Sequence, residues 1–332
     1  MAASGRWTVS TLAGSGTQGC ADGAPAAAQF SGPISIAPLP DGSVAVADCN
    51  NHCIRLIAAG GGAVSTLAGV GGAAGFADGP AAAARFNIPT GVVAAADGAI
   101  FVVDNGNYRI RRIKDGSVST VAGSGAAGGA DGVGAAASFS SPHSLALGPG
   151  GVLYVTEGTG HRVRTISPAG AVTTLAGSGA AGYADGRGAA ASFNTPLGIA
   201  VDATGVVFVA DQANHRIRRI TSGVVDTLAG SGAAGFADGA GAAAQFYLPF
   251  GLALDPATGL LIVGDQLNHR IRAVDPRSGA VSTLAGSGTA GAADGDAATA
   301  SFQHPLGVAV DAQGGILVAD SYNHLVRRIA RS

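Results

Sequence analysis

Self-similarity with a spacing of 53–56 residues is what most limits the folds open to this chain. The phrase Val-Ser-Thr-Leu-Ala-Gly starts at Val9 and Val64, recurs in variant form at Val118, Val172 and Val225, and returns at Val281. An Asp-Gly pair keeps the same register at Asp22, Asp78, Asp131, Asp185, Asp238 and Asp294. Eight residues after each stands a phenylalanine: Phe30, Phe86, Phe139, Phe193, Phe246 and Phe302. Three residues further comes a proline, from Pro33 through Pro89, Pro142, Pro196 and Pro249 to Pro305. Four markers in one register define six copies of a supersecondary unit, and such units bury their apolar faces only against one another.

Within a unit the pattern is β throughout. The fourth reads 197–202, 206–211, 216–220 and 224–229: short runs rich in β-branched residues and separated by Gly, Asp and Asn. Ala203-Thr204-Gly205 reads as a tight hairpin turn with Gly205 at positive φ. Ala243, Ala244 and Gln245 read as a helical turn anchored by Phe246. Four strands repeated six times predict an all-β, six-bladed β-propeller of four-stranded antiparallel blades. The last unit lacks its fourth strand, and an orphan copy opens the chain at 7–13, so the N-terminal strand is expected to close the last blade. The whole of 1–332 then reads as one domain, with blades near 33–69, 89–123, 142–177, 196–230, 249–286, and 305–332 plus 7–14.

Composition agrees with buried sheets. Charged residues are 12% of the chain and hydrophobic residues 47%, which excludes a disordered polyampholyte. No apolar run approaches a membrane span, and no signal peptide is visible, so a soluble protein of unassigned compartment is expected. The net charge of −2 and the 5% of aromatic residues argue against a nucleic-acid partner, despite Arg pairs such as Arg218-Arg219.

The segments Asn214-His215-Arg216-Ile217, Asn268-His269-Arg270-Ile271 and Asn323-His324-Leu325 resemble the signature of NHL repeats. With the preceding Val-Ala-Asp and the Pro-x-Gly entry of four units, the entire chain resembles a six-bladed NHL propeller. That resemblance implies a platform for proteins or RNA, or in some members a peptide-processing lyase. Units depart locally: Tyr108 replaces the His, Gly160 the Asn, Glu157 the Asp, and Cys53 and Leu325 the Arg. The acids Asp48, Asp104, Glu157, Asp211, Asp265 and Asp320 recur with Arg109, Arg162, Arg216 and Arg270 five residues on. Repetition assigns them to the scaffold, with acid and Arg paired across the turn while Asn and His satisfy loop backbone. The Asp-Gly carboxylates lack the clustered spacing of calcium ligands and read as caps of the Ala-rich turns.

An asymmetric site must come from positions that break the symmetry. The residues after the marker prolines are Ile34, Thr90, His143, Leu197, Phe250 and Leu306, expected at the mouth of the central channel as candidate ligand-binding residues. Pro142-His143-Ser144 resembles a metal-ligand segment of the peptidyl-hydroxyglycine amidating lyases, whose zinc is held by Pro-His segments of three blades. Here one blade supplies a histidine, and Ile34 and Phe250 occupy the alternate positions. One imidazole does not hold a catalytic zinc, so no metal or cofactor is expected. His143 then reads as a satisfied core residue or as a lone general base. The three cysteines, Cys20, Cys49 and Cys53, favour free thiols by their odd count. A disulfide between Cys49 and Cys53 is the next reading, and with His52 they fall short of a zinc site unless Cys20 joins. The functional expectation is non-catalytic binding of a protein or small ligand at the turn face and channel mouth, by a monomer or a module of a larger assembly. The alternative is a lyase or hydrolase, with or without a metal, acting around His143.

Overall fold

The computed structural model describes residues 6–331, which form six antiparallel sheets arranged as propeller blades. In blade four the strands Pro196–Val201, Val207–Asp211, Arg216–Thr221 and Val224–Ala229 pair in order from the axis outward. Gly205 turns the first hairpin at φ +88°, as the sequence requires. Innermost strands of neighbouring blades pack so closely that a Cβ on Gly198 would lie 1.8 Å from the carbonyl oxygen of Phe250. The Pro-x-Gly glycine is therefore a spacing requirement between blades, not a turn signal.

Ring closure follows the sequence. Strand Trp7–Ala13 lies antiparallel on Leu325–Arg331, with Trp7 opposite Arg331 and Val9 opposite Ile329. Val9 and Ala13 are buried in the two cores that flank the last blade. The pairing covers what would otherwise be a bare sheet edge.

Five blades carry something the periodicity does not announce. A two-residue strand, such as Gly186–Arg187 or Gly239–Ala240, adds a fifth member at the outer edge. In the first blade this shrinks to one bridge between Gly23 and Val64. The Ala-rich segment beside it contributes a 3-10 turn, Gly241–Ala243 in blade five, just ahead of the expected position. Ala244 and Phe246 after it are fully buried. Among the described residues no helix is long and apolar enough to cross a membrane.

The largest fully buried side chains are six phenylalanines and six arginines, one of each per blade. Each guanidinium sits 5.1–5.5 Å from its phenylalanine ring: Arg55 on Phe30, Arg111 on Phe86, Arg164 on Phe139, Arg218 on Phe193, Arg272 on Phe246 and Arg327 on Phe302. Repetition of these pairs explains how so little charge holds six blades in register.

Candidate functional site: the axis and the turn face

The repeated acids are scaffold, but their partners differ from the sequence expectation. Asp211 accepts from Arg218, seven residues on, at 2.6 Å, and not from Arg216, five residues on. Asp48, Asp104, Glu157, Asp265 and Asp320 pair in the same way with Arg55, Arg111, Arg164, Arg272 and Arg327. The second guanidinium nitrogen reaches the Asp-Gly carboxylate, Asp185 in blade four at 2.7 Å. Asp185 also accepts from the Thr227 hydroxyl of the fourth strand. The Asp-Gly carboxylates are thus anchors for the outer strands, and the capping expectation fails because the short turns they precede carry no side-chain cap. Alternation alone does not separate the two arginines, since both fall on the same side of the strand. Recurrence does: the arginine seven residues on is present in all six units, the one five on in four.

Histidines of the repeated turn have a specific duty. Each sits in the left-handed region, with φ of 50–56° at His52, His161, His215, His269 and His324. Each Nδ1 accepts a backbone N–H from the next blade: Ile88 at 3.1 Å, Thr195 at 3.1 Å, Leu248 at 3.2 Å, His304 at 3.4 Å and Gly32 at 3.2 Å. The donating residues are also left-handed, including β-branched Ile88 and Thr195, a conformation that persists only where neighbours enforce it. Where Tyr108 replaces the histidine, Asn105 donates instead to the Pro142 carbonyl at 2.6 Å. Acceptance at Nδ1 requires the neutral ring, and burial lowers the pKa of His161, His215, His269 and His324 in keeping with that.

At the axis, the six symmetry-breaking residues meet. Ile34, Leu197, Phe250 and Leu306 pack into one apolar cluster. Phe250 reaches across to place its ring edge-on to His143, with centroids 5.0 Å apart. The Thr90 hydroxyl donates to the His143 carbonyl at 2.6 Å. Thr90, Leu197, Phe250 and Leu306 are 3–8% exposed, and Ile34 and His143 are part-buried, so on the turn side these side chains narrow the axis to a plug. Beneath this plug lies a cavity of about 310 Å³, running along the innermost strands from Ile34 and His143 to Pro38, Leu147, Leu254 and Val310. Among the described residues lining it, His143 is the one titratable side chain. Its Nδ1 is enclosed without a partner, and burial lowers its pKa to about 4.

Above the plug the turn face is uneven. Ile88, Tyr247 and Tyr322 are 41%, 38% and 59% exposed. Tyr322 lies over His304 at 4.0 Å between centroids, His304 continues to His269 at 5.4 Å, and His215 meets Tyr247 edge-on at 5.7 Å. Sequence reasoning singles out neither tyrosine, although Tyr247 and Tyr322 sit beside repeated markers and have no counterpart in other units. In blade three, Gly160 stands where an asparagine would donate to the acid, and the second carboxylate oxygen of Glu157 is buried without a partner.

The cysteines are free thiols. His52 accepts from Ile88 and stands outside the group that the thiols form. Cys20 and Cys53 are the two that meet, with Asp48 beside them.

Known proteins agree with this architecture. The NHL repeat family model matches residues 30–55, 86–113, 193–220 and 302–329, that is, blades one, two, four and six. NHL repeat-containing protein 2 of Bos taurus is 30% identical over 85% of this chain and 44% of its own length. The chain spans less than half the length of the curated relatives it matches. A Bacteroides thetaiotaomicron protein of unknown function superposes with a TM-score of 0.77 over 98% of this chain and 76% of its own, at 20% identity. A streptogramin B lyase does so at 0.60 over 98% of each chain, at 14% identity. Both likenesses carry the fold. With the Asp, Asn, His and Arg of the repeated turn placed as described, the chain belongs to the NHL-repeat β-propellers.

Proposed function

We propose that this propeller is a non-catalytic interaction module that receives a protein partner on its turn face. The observation that carries the reading is the set of exposed apolar side chains Ile88, Tyr247 and Tyr322 around an axis that Leu197, Phe250 and Leu306 fill. Tyrosines offer large contact area at little conformational cost and are enriched among interface hot spots. The backbone beneath is held rigid by the histidine clamps, so little ordering entropy is lost on docking. Ile34, Thr90, His143, Leu197, Phe250 and Leu306 then act as the floor of the site. The test compares proteins co-purified by the native chain and by the triple variant Ile88→Ala, Tyr247→Ala, Tyr322→Ala. A partner held by the native chain should bind the variant at least about thirty-fold more weakly, since a hot-spot residue is worth about 2 kcal/mol or more. Equal affinity for both would refute the location.

A second reading is a lyase or hydrolase acting from the axial cavity. It is favoured by His143, an imidazole kept neutral above about pH 4 and thus available as a base. A turnover lost on His143→Gln and untouched by the triple variant would select it.

A further inference from the structure

The residue two positions before the Asp-Gly marker is aromatic in three blades. In blades two, four and five it is Phe76, Tyr183 or Phe236, and the guanidinium of Arg109, Arg216 or Arg270 lies over the ring at 3.8–3.9 Å. In blade one both partners change together: Cys20 takes the place of the ring and Cys53 the place of the arginine. Their sulfurs lie within 4.8 Å of each other. Gly71 keeps the space clear, for a Cβ there would stand 2.4 Å from the Cys20 sulfur. Cys49, the third thiol, is buried and outside this group.

We infer that Cys20 and Cys53 are an oxidisable pair, converted by a peroxide to a disulfide that fastens the segment following the closing strand onto the first blade. Asp48 completes the cluster but is unavailable as a metal ligand, because Ser31 N–H, Asn51 Nδ2 and Arg55 already occupy its oxygens. Cys20 is part-exposed, whereas burial pushes the Cys53 thiol far up, so oxidation starts at Cys20. Its thiolate attacks one peroxide oxygen; the S–O bond forms, the O–O bond breaks, and the departing hydroxide takes a proton to become water. Cys53 then attacks the sulfenic sulfur; the S–S bond forms, the S–O bond breaks, and a second water leaves with the Cys53 proton. Two thiols lose two electrons and the peroxide gains them. The crosslink would do by covalent means what the ring and arginine do by stacking in blades two, four and five.

The experiment treats the folded chain with hydrogen peroxide, blocks remaining thiols, and cleaves it on the N-terminal side of aspartate. Cuts at Asp22 and Asp48 part Cys20 from Cys49 and Cys53. The expected product is one crosslinked pair of fragments, reverted by dithiothreitol, formed equally in Cys49→Ser and absent from Cys20→Ser and Cys53→Ala. The oxidised native protein should also melt at a higher temperature than the reduced one, a difference that Cys20→Ser abolishes. A bond within the Asp48 fragment, a sulfenic acid at Cys20 that never crosslinks, zinc held stoichiometrically by the reduced thiols, or equal melting of both forms would each overturn the inference. Cys20→Ser leaves the core untouched, so the result does not hang on whether Cys53→Ala folds.

Discussion

Replacing Arg218 by Met tests whether the buried arginine, and not the signature arginine two residues before it, pins each blade. Arg218 is fully buried and donates to Asp211 at 2.6 Å, to Asp185 at 2.7 Å, and to the carbonyls of Ser192 and Ala184 at 3.1 and 2.8 Å. Methionine keeps most of the volume against Phe193 but returns none of those bonds. Asp211 would remain buried, with only the Asn194 N–H and the Asn214 amide as donors. Removing one partner of a buried ion pair costs about 3–5 kcal/mol, mostly from the charge left behind. Arg216, by contrast, bonds only the carbonyls of Asn214 and Ser231 and stacks on half-exposed Tyr183. Arg216→Met should therefore cost about 1 kcal/mol or less, in the range of exposed cation–π contacts. Equilibrium unfolding in urea, followed by circular dichroism and by the single tryptophan, Trp7, gives both values. A third variant, Asp211→Leu with Arg218→Met, should regain part of the loss, since no buried charge is then orphaned. Equal destabilisation by Arg218→Met and Arg216→Met would refute the reasoning.

Two further outcomes follow from closure and from the histidines. Deleting residues 1–13 should destabilise the whole ring by several kcal/mol, roughly one for each backbone hydrogen bond lost to Leu325–Arg331; an unchanged thermal melt would show that the edge does not need its partner. His143 has a folded-state pKa of about 4, below its unfolded value near 6.5, so its contribution is complete above the unfolded value and is lost as pH falls from there toward 4. Asp320, raised by burial to about 6, acts in the opposite sense between 6 and its unfolded value, so the test is a difference: the stability of native chain minus His143→Gln should fall by up to about 3 kcal/mol between pH 7 and 4. A pH-independent difference would mean that the ring is solvated.

The axial cluster was legible for the same reason the fold was. Marker prolines fix where each innermost strand begins, and the next side chain must point at the axis, so Ile34, Thr90, His143, Leu197, Phe250 and Leu306 could be gathered by counting. What counting cannot give is size. Whether six side chains leave a hole or fill it depends on rotamers reaching across the axis, and Phe250 reaches far enough to touch His143. Proximity in sequence favours Arg216 for the pairing, whereas the Asp-Gly loop folding back makes Arg218 the residue between two carboxylates.

By itself, then, the sequence determined the number of blades, the four main strands of each, and the closing role of Trp7–Ala13, because these are properties of periodicity and each copy testifies for the others. Only the tertiary structure decided which residues from distant copies touch: the histidine that holds the next blade's backbone, the plug on the axis, and the meeting of Cys20 with Cys53. Such contacts are set by distances between chain segments that share no local pattern, and periodicity, being local to each unit, carries no record of them.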